Sequence, residues 1–169
     1  RALLTVFVNI LEAVMIRSSF HYLFLAGIFG LAAVVSGQGF ELKLQLQRAH
    51  IGEIFLGRQD GATSAYDRGV DIFAPPPGMQ TGYVGFTSPN PKLPLLYKDI
   101  RGLDLPQEWK LYCQPEGNQP IVLSWSADNI PEGLALTIKQ DDSAFDMRTV
   151  KRMEVKTKTT LLIELKKGP

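Results

Sequence analysis

The strictest constraint on how this chain folds is an alternation of apolar and polar residues with a period of two. Between Phe40 and Gln47 every second residue is apolar (FELKLQLQ). Such alternation is typical of a β-strand with one face buried and one face in solvent. The pattern recurs in short runs between Gly- and Pro-containing turns, and no helix-period pattern follows Gly39.

The runs give a specific set of strands. We predict strands at 40–47, 51–56, 79–87, 95–100, 109–114, 121–125 and 134–139, a final hairpin of 152–156 with 161–165, brief pairing at 70–73, and a loop at 141–146. Short strands with turns at regular spacing favour an antiparallel β-sandwich, of Ig-like or jelly-roll-like type. The predicted fold class is therefore all-β.

The front of the chain predicts export. Residues 22–35 are apolar, follow Arg17 and precede small residues at 36–39. This is the layout of a secretory signal peptide that starts at Met15. The predicted organisation is an upstream or non-native extension at 1–14, a signal helix at 15–39 and a β-sandwich domain at 40–169. The alternative is an uncleaved membrane anchor. The predicted location is secreted or at the cell surface.

Few residues that support catalysis remain after residue 39. Cys113 is the single cysteine, so no internal disulfide forms. It alternates with Trp109 and Leu111, which predicts burial in a strand. His50 is the one histidine of the domain, which disfavours histidine-ligated metal sites and weakens a Ser-His-Asp triad. With a formal net charge of +1 and no basic cluster among aromatics, nucleic acid is not an expected partner.

The segment from Asp60 to Gly78 is rich in Gly, Pro and Asp, which predicts a shaped loop. Asp60, Asp67 and Asp71 are candidate calcium ligands, because calcium prefers carboxylate and carbonyl oxygens. Tyr66 lies on no periodic face, so it either packs the loop onto the domain or contacts a ligand. No other cofactor is expected.

A second interpretation of the same loop is structural. Asp67 and Asp71 accept backbone N–H bonds, and they pair with Arg68 or Arg101. The prolines 75–77 then form a stiff crossover rather than a recognition segment. On this interpretation, replacing Asp67 with alanine destabilises the domain more than replacing Asp141.

An ordered set of motifs between Leu56 and Arg148 resembles an uncharacterised β-sandwich module of secreted bacterial surface proteins. The motifs are G-A-T-x-x-Y-D-x-G-x-D-I-x-x-P-P-P at 61–77, the strand 95–101, Trp109, V-L-S-W at 122–125, P-E-G at 131–133 and D-M-R at 146–148. Such modules often precede an Ig-like sorting domain. The resemblance implies a cell-surface role and carries over no catalytic or binding residue.

Three functions follow as hypotheses. The first is an exported, non-enzymatic module with a structural or interaction role, whose partners are other cell-surface or extracellular proteins. The second is a carbohydrate- or calcium-dependent binding module. The third, less favoured, is a hydrolase, of the glycoside hydrolase type or another, that uses His50 or two carboxylates in one cleft. The membrane is expected to be contacted only through the signal or anchor segment.

Overall fold

A computed structural model describes residues 37–76 and 82–168, and every regular element in these ranges is a β-strand. The strands are β1 Phe40–Gln47, β2 Glu53–Arg58, β3 Ile72–Phe73, β4 Tyr83–Thr87, β5 Leu95–Arg101, β6 Gln107–Gln114, β7 Ile121–Trp125, β8 Leu134–Gln140, β9 Ser143–Asp146, β10 Arg152–Val155 and β11 Thr159–Lys167. The all-β prediction is therefore confirmed. The predicted extension at 1–14 and signal segment up to residue 36 lie outside the described residues, as do residues 77–81.

The described strands join in one mixed, curled sheet. Its order is β10-β7-β1-β2-β5-β4-β6-β11-β8-β9, and β3 lies off this path, paired with β5. All of its strand pairs are antiparallel except β2 with β5, which run parallel. The purely antiparallel arrangement that the sequence predicted is thus wrong at one pair.

The central strand β5 has neighbours on both sides and changes one of them along its length. Lys98 pairs with β2 and with β3, whereas Leu96 pairs with β4 and with β3. A strand residue can pair with one strand on each of its two sides. Therefore β3 lies along one side of β5, and β4 and β2 lie one after the other along its opposite side. The register with β3 shifts at this point, which leaves Tyr97 as an extra residue. Such a bulge bends a strand and re-aims its side chain.

The alternation of the sequence becomes the buried core. In β1 the leucines 42, 44 and 46 are buried and the residues between them are exposed. Leucines of β1 and of β6 belong to the same buried cluster, together with the two tryptophans. Cys113 is buried in its strand together with Trp109, as the sequence predicted, and Trp125 is buried as well.

Two local predictions are wrong. The segment predicted as a loop at 141–146 contains β9, which pairs with β8. The predicted hairpin of 152–156 with 161–165 is also not formed: β10 pairs with β7, and β11 lies between β6 and β8. Both strands exist where the apolar alternation placed them, but alternation does not specify a partner.

Candidate functional site

Asp71 ties the shaped loop to the sheet. Its side chain is buried, and its two carboxylate oxygens accept hydrogen bonds from the backbone N–H groups of Ile100 in β5 and of Asp67, both at 2.8 Å. The backbone N–H of Asp71 also donates to the carbonyl of Asp67 at 2.9 Å. Burial raises the pKa of Asp71, and the two backbone N–H bonds oppose that rise. The carboxylate therefore closes a turn and fastens it to β5.

Asp67 organises the preceding turn. Its carboxylate accepts the backbone N–H of Thr63, and also the hydroxyl of Thr63 at 3.0 Å. The loop then turns at Gly69, whose φ of +88° lies in the left-handed region that glycine adopts without strain. Both aspartates thus make the backbone bonds that the structural interpretation predicted.

The calcium interpretation remains a prediction, and the geometry gives it no added support. Asp60 lies exposed in the turn that follows β2. Within the described ranges, no group of three or more His, Cys, Asp or Glu side chains is arranged to hold a metal ion. The candidate ligand Tyr66 is half-buried and packs against the hydrophobic core. That contact fits the first of its two predicted roles, which is to pack the loop onto the domain.

Arg101 does not take the role that the sequence suggested for it. It pairs with Asp99 rather than with Asp67 or Asp71: its Nε and Nη2 atoms donate to the two carboxylate oxygens at 3.1 and 2.9 Å. The guanidinium also lies over the ring of Trp109, 5.4 Å from its centre. The indole N–H of Trp109 in turn donates to the Asp99 carbonyl at 3.1 Å. This cluster joins β5 to β6 through groups that are mostly buried.

His50 forms a second polar cluster that the sequence did not reveal. Its Nδ1 lies 3.1 Å from the carbonyl oxygen of Gly82, which requires the proton on Nδ1. Its Nε2 is then free to accept the hydroxyl of Tyr97 in the neutral ring. The ring stacks on Tyr83 with 4.3 Å between centres. Burial lowers the pKa of His50, and the bond to Gly82 opposes that shift.

The histidine cluster reaches the proline segment through Tyr83, whose hydroxyl donates to the carbonyl of Pro75. Burial raises the pKa of Tyr83 to about 12, so this hydroxyl remains a donor across the physiological range. Among the described residues, the hydrogen-bond partners of His50 are a carbonyl and a phenol rather than a nucleophile. The cluster therefore holds the β1–β2 turn and the proline segment against β4 and β5.

The short strand β3 carries an exposed apolar surface. Ile72 is 51% exposed and Phe73 is 37% exposed, and they are the exposed large hydrophobic side chains of the described residues. A cavity of about 140 Å³ lies beside them, lined in part by Phe73, Pro76, Lys92 and Leu95. We call Ile72, Phe73 and this cavity the β3 surface.

Sequence reasoning missed this surface because a two-residue strand has no measurable period. It treated Ile72 and Phe73 as a brief pairing segment and placed the chemistry on the aspartates. It also missed Arg58, which is buried and donates through Nη2 to the carbonyl of Leu103. Burial lowers the pKa of Arg58, and nearby Asp104 opposes that shift. One clue was present: Ile72 and Phe73 are adjacent large apolar residues inside a loop that is rich in Gly, Pro and Asp.

No protein-family model, curated protein or solved structure matches this chain. The resemblance to a secreted surface module therefore stays a proposal that rests on its motifs. No helix in the described ranges is long and apolar enough to cross a membrane.

Proposed function

We propose that this chain is an exported, non-enzymatic β-sandwich module that acts by binding other proteins at the cell surface or outside the cell. The observation that carries the interaction role is the β3 surface. Exposure of the adjacent apolar side chains of Ile72 and Phe73 to water is energetically unfavourable, and exposed apolar patches mark interaction sites. The signal-peptide layout of residues 15–39 supports export.

The sandwich architecture is part of the same proposal. Along one side, β5 pairs first with β4 and then with β2, and a strand that changes partners in this way can link two packed layers. Leu44 of β1, which is joined to β5 through β2, and Leu111 of β6, which is joined to β5 through β4, share one buried cluster. Both observations support two layers that face each other across a common core. Residues 40–169 are the proposed extent of this domain.

The polar groups of the shaped loop support a protein-binding role over a metal-binding one. Each oxygen of Asp71 accepts a backbone N–H bond, so this carboxylate is already engaged in holding the loop to β5. The calcium-dependent alternative is tested by thermal melting with calcium and with a chelator. The glycan-dependent alternative is tested by binding to a glycan array. A ligand that binds only the folded state must raise the melting temperature. A rise with calcium would favour the alternative.

Export is tested by fractionating cells that express the full gene and by adding protease outside intact cells. We expect the domain outside the cytoplasm, with cleavage after Gly37 or Gly39. Two arginine substitutions make a matched pair. Leu25→Arg interrupts the proposed signal helix and should retain the protein in the cytosol. Leu4→Arg lies in the proposed extension and should change nothing. A wild-type protein found in the cytosol would refute the proposed export.

A further inference from the structure

We propose that the outer edge of β3 binds an extended, acidic peptide segment of a partner protein, which joins the sheet as an additional strand. This inference rests on the proposed function and names the class of partner and the place where it binds. Strand addition to an exposed sheet edge uses main-chain hydrogen bonds for affinity and side-chain pockets for specificity.

The first argument is the exposure of β3 on both faces. Successive side chains of a strand point to opposite faces of the sheet. Ile72 and Phe73 are adjacent and are 51% and 37% exposed, so neither face of β3 is fully covered. A partner strand beside β3 would bring its own alternating side chains against both of them. The cavity of about 140 Å³ beside Phe73 offers a pocket for one such side chain.

The second argument is that β3 is an open edge without a charged residue. In the described sheet, β3 pairs with β5 and with no other strand. The strands at the two ends of the sheet are different. Edge strand β10 contains Arg152 and Glu154, and edge strand β9 ends in Asp146. Charges on an edge strand discourage pairing with other chains. β3 contains no such charge, so no charged side chain of its own opposes a partner strand.

The third argument concerns the charge of the partner. Lys92 lines the cavity beside Phe73. Arg68 is exposed, and its backbone pairs with that of Asp71, the residue before Ile72. The carboxylate of Asp71 is buried and accepts two backbone N–H bonds. The cavity of the β3 surface is therefore lined by one cationic side chain and no acidic one, and an acidic segment complements it. Pairing of two copies at β3 would instead bring like charges together, which disfavours a second copy as the occupant.

The experiment measures binding of labelled synthetic peptides to the full chain by fluorescence anisotropy at low ionic strength. The peptides have about eight residues, within the usual length of a strand. One alternates Glu with Val, a second alternates Lys with Val, and a third is the Glu/Val peptide with alternate amides N-methylated. We expect the Glu/Val peptide to bind and the other two to bind at least about tenfold more weakly, which corresponds to about 1.4 kcal/mol.

Three substitutions locate the site. Phe73→Asp should weaken binding of the Glu/Val peptide by about tenfold or more, because it removes the apolar contact and adds a repelling charge. Ala144→Asp adds the same charge on an exposed position of β9 and should leave binding unchanged. Lys92→Glu changes an exposed side chain, so the domain stays folded, and it should weaken binding several-fold. Thermal melts show whether each variant is folded.

Several results would overturn the inference: no binding of any peptide, equal binding of the Glu and Lys peptides, or binding that survives both Phe73→Asp and Lys92→Glu. Self-association of the chain that Phe73→Asp abolishes would assign the edge to a second copy instead. The two proposals fail separately. An exported protein that binds no peptide refutes only this inference, and a cytosolic protein that binds the Glu/Val peptide refutes only the proposed export.

Discussion

Replacing Asp71 with alanine should lower the free energy of unfolding by about 2–3 kcal/mol, from the two N–H bonds that its carboxylate accepts. The Ile100 N–H lies in a buried position, and leaving it without an acceptor costs about 1–3 kcal/mol. The Asp67 N–H is partly exposed and recovers water, so its loss adds about 1 kcal/mol. Alanine also removes the cost of burying the carboxylate, which is the cause of the raised pKa, and this offsets part of the loss.

Urea titration followed by tryptophan fluorescence measures this change, because both tryptophans are buried in the described core. Small domains have m-values of about 1–3 kcal/mol per molar urea, so the midpoint should fall by about 0.7–3 M with m unchanged. Asp71→Asn is the informative second variant. Its amide oxygen can still accept one N–H while its NH₂ group cannot accept the other, so we expect a loss between those of wild type and alanine.

The control must be an aspartate outside such bonds. Asp141 is unsuitable, since its φ of +52° is a conformation in which alanine is itself strained. Asp142 is exposed and has no positive φ, so Asp142→Ala should change stability by less than about 0.5 kcal/mol. If Asp71→Ala and Asp142→Ala had equal effects, the loop would not be held by the Asp71 carboxylate, and this reasoning would fail.

Three further predictions concern other parts of the domain. Burial lowers the pKa of His50 in the folded state, so the unfolded state binds a proton at a higher pH than the folded state does. The free energy of unfolding should therefore fall as the pH drops below about 6.5 and level off below the folded-state pKa. His50→Gln should flatten this pH dependence in urea titrations. Gly57→Ala should strongly destabilise the domain, since the new Cβ would lie 2.2 Å from the backbone oxygen of Phe40. Gly52 has open space around it, so Gly52→Ala should be neutral or stabilise the domain by up to about 1 kcal/mol in the same urea titrations. The Cys113 thiol is buried and its pKa is raised to about 12, so a thiol reagent should modify it only when the domain unfolds, and fast labelling in the native state would contradict this.

Strand positions could be predicted wherever one face is buried and the other is not. The bounds of β1 agree with the prediction residue for residue, because burial of alternate side chains fixes the period. The bounds of β7 also agree, although Val122 is buried between the predicted core residues. The strand β9 was missed because its residues have no buried face. It forms through backbone bonds to β8, which do not depend on side-chain pattern. The pairing partners of β10 and β11 could not be predicted from the sequence for a related reason. Their alternation of apolar and polar residues is compatible with any neighbouring strand.

Some contacts of the candidate site could likewise be predicted from the sequence, and others could not. The loop role of Asp67 and Asp71 could be predicted, because Asp side chains in loops commonly accept nearby backbone N–H groups. The contact of His50 with Tyr97 could not, because it spans 47 positions and depends on the bulge that re-aims Tyr97. Arg101 was assigned to the wrong carboxylate for a simple reason. Asp99 is two residues away on the same strand, and strand geometry places the two side chains on one face.

The loop and the β3 surface depend on each other physically. Asp71 is adjacent to Ile72, and its bond to the Ile100 N–H fixes the end of β3 against β5. Without that bond, the start of β3 would depend on its two-residue pairing with β5, which contributes little, because the bonds of Ala74 to Leu95 and of Pro75 to Tyr83 lie beyond its other end. On the proposed mode of binding, a partner strand requires β3 to be extended and in register before it docks. Asp71→Ala should therefore weaken binding of the Glu/Val peptide, although Asp71 does not contact the peptide in the proposed mode. A variant that lost stability yet bound the peptide unchanged would show that the edge is ordered by β5 alone.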